Sequence, residues 1–260
     1  MEKIEKKKLL IASMSGGLDS ATTVALALKE GMDVQPIVFE YGQKNFVELI
    51  AQKKIVEFFS NQYPNQIRET VTIDTTKIIQ EFIFNYQALR DSGKVLEKTG
   101  EEFYTPSRNL LFMTLCAVIG EIIAISEDYS EILLGLGIHK HSSENYKKDY
   151  WDITPEFAIR LQHLLDLNDS VRVMLYTPFV NYFKSEIISK AEEVGLPIYL
   201  TWSCYDPQIT KEIKVDKVMT LYSPCLVCEA CLERSSQAKS VGIYNVNDYS
   251  ITVETLNPRN

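Results

Sequence analysis

The chain has 260 residues, 45% of them hydrophobic, and carries 27 lysines and arginines against 35 aspartates and glutamates, a formal charge of −8. That length fits one large domain or a domain with an appendage, and the acidic balance argues against a general nucleic-acid binder, which presents a basic surface. The N-terminal apolar run leads straight into a glycine loop without a signal-peptide pattern, and the longest apolar stretch, Leu110 to Gly120, is closed by Glu121 and reads as too short for a bilayer. A cytoplasmic protein that does not enter a membrane is the expectation.

An apolar strand is expected over Lys8 to Met14, followed by the loop "SMSGGLDS" (13–20) and a helix from about Ser20 to Glu30, with Gly31 as its C-terminal cap. Val34 to Phe39 reads as a second strand running into "EYGQ", and Val47, Ile50, Ala51, Ile55, Phe58 and Phe59 recur at helical spacing. Arg68 to Asp74 alternates as a strand does. Residues 75–105 mix an apolar segment with a charged one and read as an active-site loop or excursion. A helix from Asn109 to Ser126 is apolar on most sides and is expected to be buried. Glu131 to Leu136 gives a fourth strand, Thr154 and Pro155 an N-cap and first helical position, "VRVMLYTP" (171–178) a fifth strand, and "FKSEIISKAEEVG" (183–195) an amphipathic helix. Alternating strands and helices predict an α/β fold, a doubly wound, mostly parallel five-stranded sheet of Rossmann-like type, with ligands beyond the carboxyl ends of the strands. A boundary is expected near 200: residues 1–200 form the α/β domain, and 201–260 a cysteine-rich helical subdomain.

Paired glycines let a backbone turn tightly and bring its N–H groups onto a ligand. A helix N-terminus adds free N–H donors and positive dipole, and Ser15 and Ser20 add hydroxyls, so the loop reads as an anion cradle, most simply for phosphate. It lacks both the lysine of a Walker A loop and the G-x-G-x-x-G spacing of a dinucleotide fold. Asp19 repels phosphate unless a cation such as Mg²⁺ intervenes or the carboxylate braces the loop instead. The plain alternative is a tight strand-to-helix turn with Ser20 as N-cap.

Of five cysteines, Cys225, Cys228 and Cys231 form C-x₂-C-x₂-C, and Cys204 can supply a fourth thiolate. Four thiolates suit a structural Zn²⁺ site; an iron–sulfur cluster and a redox pair are the competing readings. Cys116, on the apolar helix, reads as a core residue.

S-G-G-x-D-S after a first strand resembles the pyrophosphate loop of the ATP pyrophosphatases, whose fold is of the HUP type. Three further stretches, "FEYGQKNFVELIAQKKIVEFF", "TPSRNLLFMTLCAVIGE" and "TWSCY" with "CLVCEACLER", resemble the 7-cyano-7-deazaguanine synthase family, over Lys8 to about Ala238. The resemblance implies ATP, Mg²⁺ and Zn²⁺ as cofactors and ATP-dependent ligation. ATP adenylates the carboxylate of 7-carboxy-7-deazaguanine, ammonia displaces AMP to give the amide, and a second ATP activates the amide for conversion to the nitrile. It implies nucleotide contacts from Ser13, Met14, Ser15, Gly16, Gly17, Leu18, Asp19, Ser20, Phe39, Tyr41, Gly42, Gln43, Arg108, Asn109, Gly135 and Lys184. Among these, Ser15, Asp19, Ser20, Arg108 and Lys184 would be catalytic. Tyr41 is equally a packing residue, and a helix-start ion pair is the lesser alternative for Arg108. Lys184 opposes the dipole of the helix it begins, which favours a functional role. Gly137, Tyr150, Asp152 and Glu156 would bind the deazaguanine; Asp152 is equally a helix N-terminal carboxylate. Cys204, Cys225, Cys228 and Cys231 would hold the zinc, and a homodimer is the expected assembly.

Two stretches depart from the family pattern. "GIHKHSSENYKKDYWDITPEF" keeps Tyr150, Asp152, Glu156 and Phe157 but lacks the family's glycine, proline, cysteine and arginine, and "KEIKVDKVMTLYSP" reads as an insertion between Cys204 and Cys225. His139 and His141 read as loop-surface residues, with a role beside the substrate as the alternative, and His163 as part of a helix face. Both departures lie on the acceptor side. They keep open a paralogue that transfers a deazaguanine to an amine of a partner protein, as in anti-phage clusters, or another member of the group such as a tRNA-modifying enzyme. A binding module that has lost catalysis is disfavoured by the intact loop.

Overall fold

The computed structural model describes residues 7–41, 46–76, 91–94, 105–127, 129–140, 150–214, 217–244, 246 and 249–256. Gly42, Gln43, His141 and most of the 75–105 stretch lie outside the described residues. Five strands, β1 (Lys8–Ser13), β2 (Asp33–Glu40), β3 (Val71–Asp74), β4 (Glu131–Leu136) and β5 (Val173–Tyr176), pair in parallel in the order β3-β2-β1-β4-β5. The central strands are continuous apolar runs because both faces of the sheet are covered.

Period-two geometry splits β1 between the two faces. Leu10 and Ala12 pack with helices α1 (Leu18–Lys29), α2 (Val47–Gln62) and α5 (Lys184–Glu193), while Leu9 and Ile11 pack with α3 (Arg108–Ser126) and α4 (Pro155–Leu165). The fold is thus doubly wound, as expected. Because β1 has β2 on one side and β4 on the other, the chain leaves β1 and β4 in opposite directions. A crevice opens beyond their carboxyl ends, where ligands bind in such sheets.

Local chemistry sets the element ends. Thr154 Oγ1 accepts from Phe157 N at 3.1 Å with Pro155 opening α4, and Gly31, at φ +81°, follows α1. The N-cap of α1 is Gly17; Ser20 lies inside the helix and its hydroxyl donates to Gly17 O at 3.2 Å, so the plain N-cap reading of Ser20 does not hold.

Two expectations need correction. Helix α3 is half buried: Phe112, Met113, Cys116 and Gly120 face the sheet, whereas Val118, Ile122 and Ile125 are exposed. Its 19 residues are long and apolar enough to cross a membrane by length and composition, contrary to the sequence reading, yet the helix packs along β1 and β4. The C-terminal segment holds one helix, α6 (Glu229–Ser240), and also an antiparallel sheet of β6 (Gln208–Lys214), β7 (Lys217–Ser223) and β8 (Ile251–Leu256) in that order. The inserted stretch builds most of the β6–β7 hairpin. Val218 and Thr220 are buried with Met219 exposed between them, the period of a strand with one covered face.

This segment closes on α2. Trp202, Cys204, Cys231, Tyr249 and Ile251 form a small core with Val47 and Ala51, and the Trp202 and Tyr249 rings meet edge-on at 5.1 Å.

Candidate active site

The glycine loop is built into its surroundings on both sides. Gly16 has φ +88°, and a Cβ there would lie 2.3 Å from the Glu48 carbonyl oxygen at the start of α2. The Gly16 carbonyl accepts from Trp202 N at 2.9 Å, which ties the loop to the C-terminal segment. Ser15 Oγ accepts from Gly17 N at 3.2 Å and lies 3.2 Å from Ser20 Oγ, which in turn accepts from Ser15 N at 3.3 Å. Met14 is buried with its N–H on Ile37 O, and Leu18 is buried in the core. Ser13 ends β1 opposite Leu136 of β4. The loop is therefore pre-shaped, with the α1 N-terminus at its end and its serines tethering one another.

Asp19, in the first turn of α1, does brace the loop. Lys184 Nζ lies 2.6 and 2.7 Å from its two carboxylate oxygens, and His139 Nδ1 lies 3.1 Å from Oδ2. Burial pushes the Asp19 carboxyl up, but Lys184 and His139 outweigh it and hold it well below the usual carboxylate range. His139 Nε2 points to Glu233 of α6, at 4.0 Å. Burial acts against a charged imidazole, and the Asp19 and Glu233 carboxylates more than offset it, so the His139 value is raised.

Of the two sequence readings of His139, loop surface or a place beside the substrate, the surface one does not hold: its side chain is 9% exposed and sits in the cluster. The available signal was position, three residues past β4 at the crevice. Gly137, expected at the deazaguanine, lets β4 approach α1: a Cβ would lie 2.6 Å from Ser20 N. Gly135 likewise faces Leu10, where a Cβ would lie 3.1 Å from Cδ1.

On the other side of the sheet, Arg108 is the first residue of α3, preceded by Ser107 in the left-handed region at φ 53°. Arg108 Nη1 lies 3.5 Å from the Tyr41 hydroxyl. Burial lowers the Arg108 value, but Tyr41, Glu48 and Asp152 together raise it, so the guanidinium stays charged. Burial pushes the Tyr41 hydroxyl up. Phe39 stacks on Phe112 with centroids 3.9 Å apart, and so packs against α3 from β2. Asp152 caps α3: its Oδ2 accepts from Asn109 N at 3.0 Å, while Asn109 Nδ2 donates to Asp152 O at 3.2 Å. Asp152 and Asn109 therefore position Arg108. Tyr150 lies half-buried just before them. Glu156 stands apart, paired with Arg160 at 2.6 Å on the exposed side of α4.

Tyr205, beside Cys204, is 56% exposed as a residue, while burial at its hydroxyl together with Glu48, Glu229 and Glu233, against Arg108, raises that group. The crevice is thus bordered by the loop, Lys184, Arg108 and the C-terminal segment.

The Sγ atoms of Cys204, Cys225, Cys228 and Cys231 all lie within 4.8 Å of one another. A tetrahedral site with bonds of about 2.3 Å needs sulfur separations of about 3.8 Å, so the four fit one metal ion. Asp206 N and Cys225 N donate to Cys204 Sγ at 3.3 and 3.2 Å, and Cys228 N to Cys225 Sγ at 3.2 Å, an arrangement that supports thiolates. Burial pushes Cys204 up to about 11, whereas backbone N–H groups of Val227 and Cys228 outweigh burial at Cys225 and bring it down to about 7. Cys116 is a separate thiol, pushed up to about 12 by burial, and is a core residue as expected. Arg234 of α6 is fully buried; it donates to Thr201 Oγ1, Ser203 Oγ, Ile198 O and Val246 O, and so locks α6 to the segment that carries Trp202. Neither Arg234 nor Glu233 stood out in the sequence, because their partners are remote in the chain.

Among solved structures, a 4-thiouridine synthetase–RNA complex with bound ATP is 13% identical with a TM-score of 0.46, covering 95% of this chain and 55% of that one. An NMN synthetase from Francisella tularensis is 15% identical with a TM-score of 0.40, covering 75% and 65%. Among curated relatives, the 7-cyano-7-deazaguanine synthase of Acetivibrio thermocellus is 28% identical over 249 residues, 92% of this chain and 96% of that protein. That of Syntrophus aciditrophicus is 29% identical over 250 residues, 91% and 95%. Residues 9–242 match the family described as queuosine biosynthesis protein QueC, and with loop, sheet order and cysteine cluster all inside that span, the chain belongs to the QueC family.

Proposed function

We propose that the protein is an ATP-dependent ligase that adenylates 7-carboxy-7-deazaguanine and takes it, with ammonia, through the amide to 7-cyano-7-deazaguanine. The observation that carries this is the anion cradle at the switch point between β1 and β4, with Asp19 held between Lys184 and His139. Relatives of near-equal length bear the synthase name.

The residues would act mainly by binding and orienting. The cradle N–H groups and the serines receive pyrophosphate oxygens. Lys184 and Arg108 offset negative charge from opposite sides of the sheet. Each opens its helix at the end where the dipole disfavours a cation, a placement that a bound anion repays. The reaction then draws on alignment and charge stabilisation more than on a tuned base.

Zn²⁺ fits the four cysteines and would supply structural cross-linking, since four thiolates leave no open position. Among the described residues the cysteines are the one group of at least three close metal-ligating side chains. Mg²⁺ is therefore taken to arrive with the nucleotide, on its phosphate oxygens. A homodimer and a cytoplasmic setting complete the proposal, with residues 201–260 as the metal-binding subdomain.

The test is to incubate the protein with ATP, Mg²⁺, 7-carboxy-7-deazaguanine and ammonium and to follow products by mass spectrometry. Stoichiometric nitrile with AMP and pyrophosphate is expected. AMP and pyrophosphate without nitrile would move the acceptor to another amine, and no adenylation of the acid would overturn the assignment.

A further inference from the structure

His139 connects two parts of the molecule that are remote in sequence. Its Nδ1 lies 3.1 Å from Asp19 Oδ2 in the first turn of α1, and its Nε2 lies 4.0 Å from Glu233 Oε1 on α6, two residues after Cys231 of the metal-ligating set. The ring, Asp19 and Glu233 are 9%, 16% and 15% exposed in their side chains. The charged groups that face it come from three elements: Asp19 of α1, Lys184 of α5 and Glu233 of α6. An imidazole offers two nitrogens in fixed, divergent directions. Here Nδ1 lies within hydrogen-bond distance of Asp19, and Nε2 faces Glu233 at the longer range of an ion pair.

The Asp19 carboxylate needs that second contact. It stands at a helix N-terminus that is shaped to receive an anion, where an uncompensated negative charge would repel the ligand. Lys184 reaches both oxygens, but a single flexible ammonium does not set the carboxylate plane. His139 Nδ1 adds a second, ring-fixed partner at Oδ2.

We propose that His139 is a positioning residue for the anion cradle: it fixes the Asp19 carboxylate against Lys184, and through its second nitrogen it makes that arrangement depend on α6 of the cysteine-bearing segment. This goes beyond the ligase assignment and holds for any acceptor. Release of α6 withdraws Glu233, loosens the ring and weakens nucleotide binding.

The test titrates Mg²⁺ and a non-hydrolysable ATP analogue into wild type and variants by calorimetry, with melting temperature measured beside it. Asparagine can place an amide donor near the Nδ1 position, and glutamine near Nε2, while both remain polar and of comparable bulk. His139→Asn should therefore bind within about threefold of wild type, whereas His139→Gln and His139→Ala should bind about tenfold more weakly or worse, the loss expected for a charge-assisted hydrogen bond. Glu233→Ala should weaken binding severalfold, and adding it to His139→Ala should change little, since both act through one contact. Equal affinities for the Asn and Gln variants, wild-type binding by the Gln variant, or independent, multiplying losses for His139 and Glu233 would each overturn the proposal. Because the readout is nucleotide binding, failure of the deazaguanine assignment leaves this result unaffected.

Discussion

Gly16 and Gly31 share a left-handed backbone, at φ +88° and +81°, but differ in what surrounds them. An added Cβ at Gly31 meets nothing within 4 Å, while at Gly16 it would overlap the Glu48 carbonyl oxygen at 2.3 Å and Gln52 N at 2.9 Å. Gly31→Ala should thus cost only the left-handed penalty, about 1–2 kcal/mol. Gly16→Ala must displace the loop from α2, with a larger fall in melting temperature and loss of nucleotide binding. A comparison of the two by thermal denaturation separates backbone conformation from close approach; equal falls would contradict the packing described. Within the loop, Asp19→Asn leaves Lys184 without its carboxylate, and Ser15→Ala removes the acceptor for Gly17 N. Asp19→Asn should slow pyrophosphate release by about 100-fold, the scale of a lost preorganised charge. Ser15→Ala should slow it less, with the far-ultraviolet circular dichroism of both variants unchanged. Undiminished turnover in both would remove the loop from the reaction.

At the level of elements, the sheet was legible and the C-terminal segment was not. Leu9 to Ala12, Val34 to Phe39 and Ile132 to Leu136 are buried on both faces, so their apolar runs declare strands whatever surrounds them. In the β6–β7 hairpin only β7 has a covered face, residues 208–213 of β6 being exposed, and charged residues stand between the apolar ones, a pattern easily taken for a loop insertion. The site was half legible for a related reason. The loop and the cysteine spacing are local strings, but His139 acquires its role from Asp19 and Glu233, which the chain brings from either end. Asp152 shows the same limit. Its carboxylate caps α3, a helix earlier in the sequence, so no local pattern marks it as a cap. Asp152→Ala should cost about 1–2 kcal/mol and loosen Arg108, whereas Asp152→Asn, which keeps an acceptor, should melt close to wild type. If Asp152→Asn nonetheless raises the KM for the deazaguanine acid with melting unchanged, the residue also contacts the substrate; unchanged KM in that variant and lowered melting in the alanine variant assign it to capping alone.

For the molecule as a whole, the cysteine cluster and the glycine loop are mechanically connected. Arg234, buried beside the Tyr249 ring with its guanidinium carbon 4.5 Å from the centroid, holds α6 to residues 198–203, and Trp202 N in that segment donates to Gly16 O. A metal held by Cys204, Cys225, Cys228 and Cys231 ties the end of this segment to the start of α6, while Arg234 ties the segment itself to α6 one turn later along the helix. Structural zinc contributes on the order of 10 kcal/mol in small zinc domains. Here part of that role is shared by the core that Trp202, Tyr249 and Ile251 form with α2. Two outcomes follow. Purified protein should contain about one zinc per chain, and Cys225→Ser should be metal-free and insoluble, or soluble with a β6–β7–β8 unit open to proteolysis. Arg234→Met, with cysteines intact, should retain the metal but lose about 3–5 kcal/mol, because Thr201 and Ser203 and two carbonyls are left buried without their donor. In both variants nucleotide affinity should fall in step with the loss of protection at the Gly16–Trp202 contact in hydrogen exchange. A metal-free Cys225→Ser protein that binds nucleotide as tightly as wild type would separate the two sites and confine the metal to local folding.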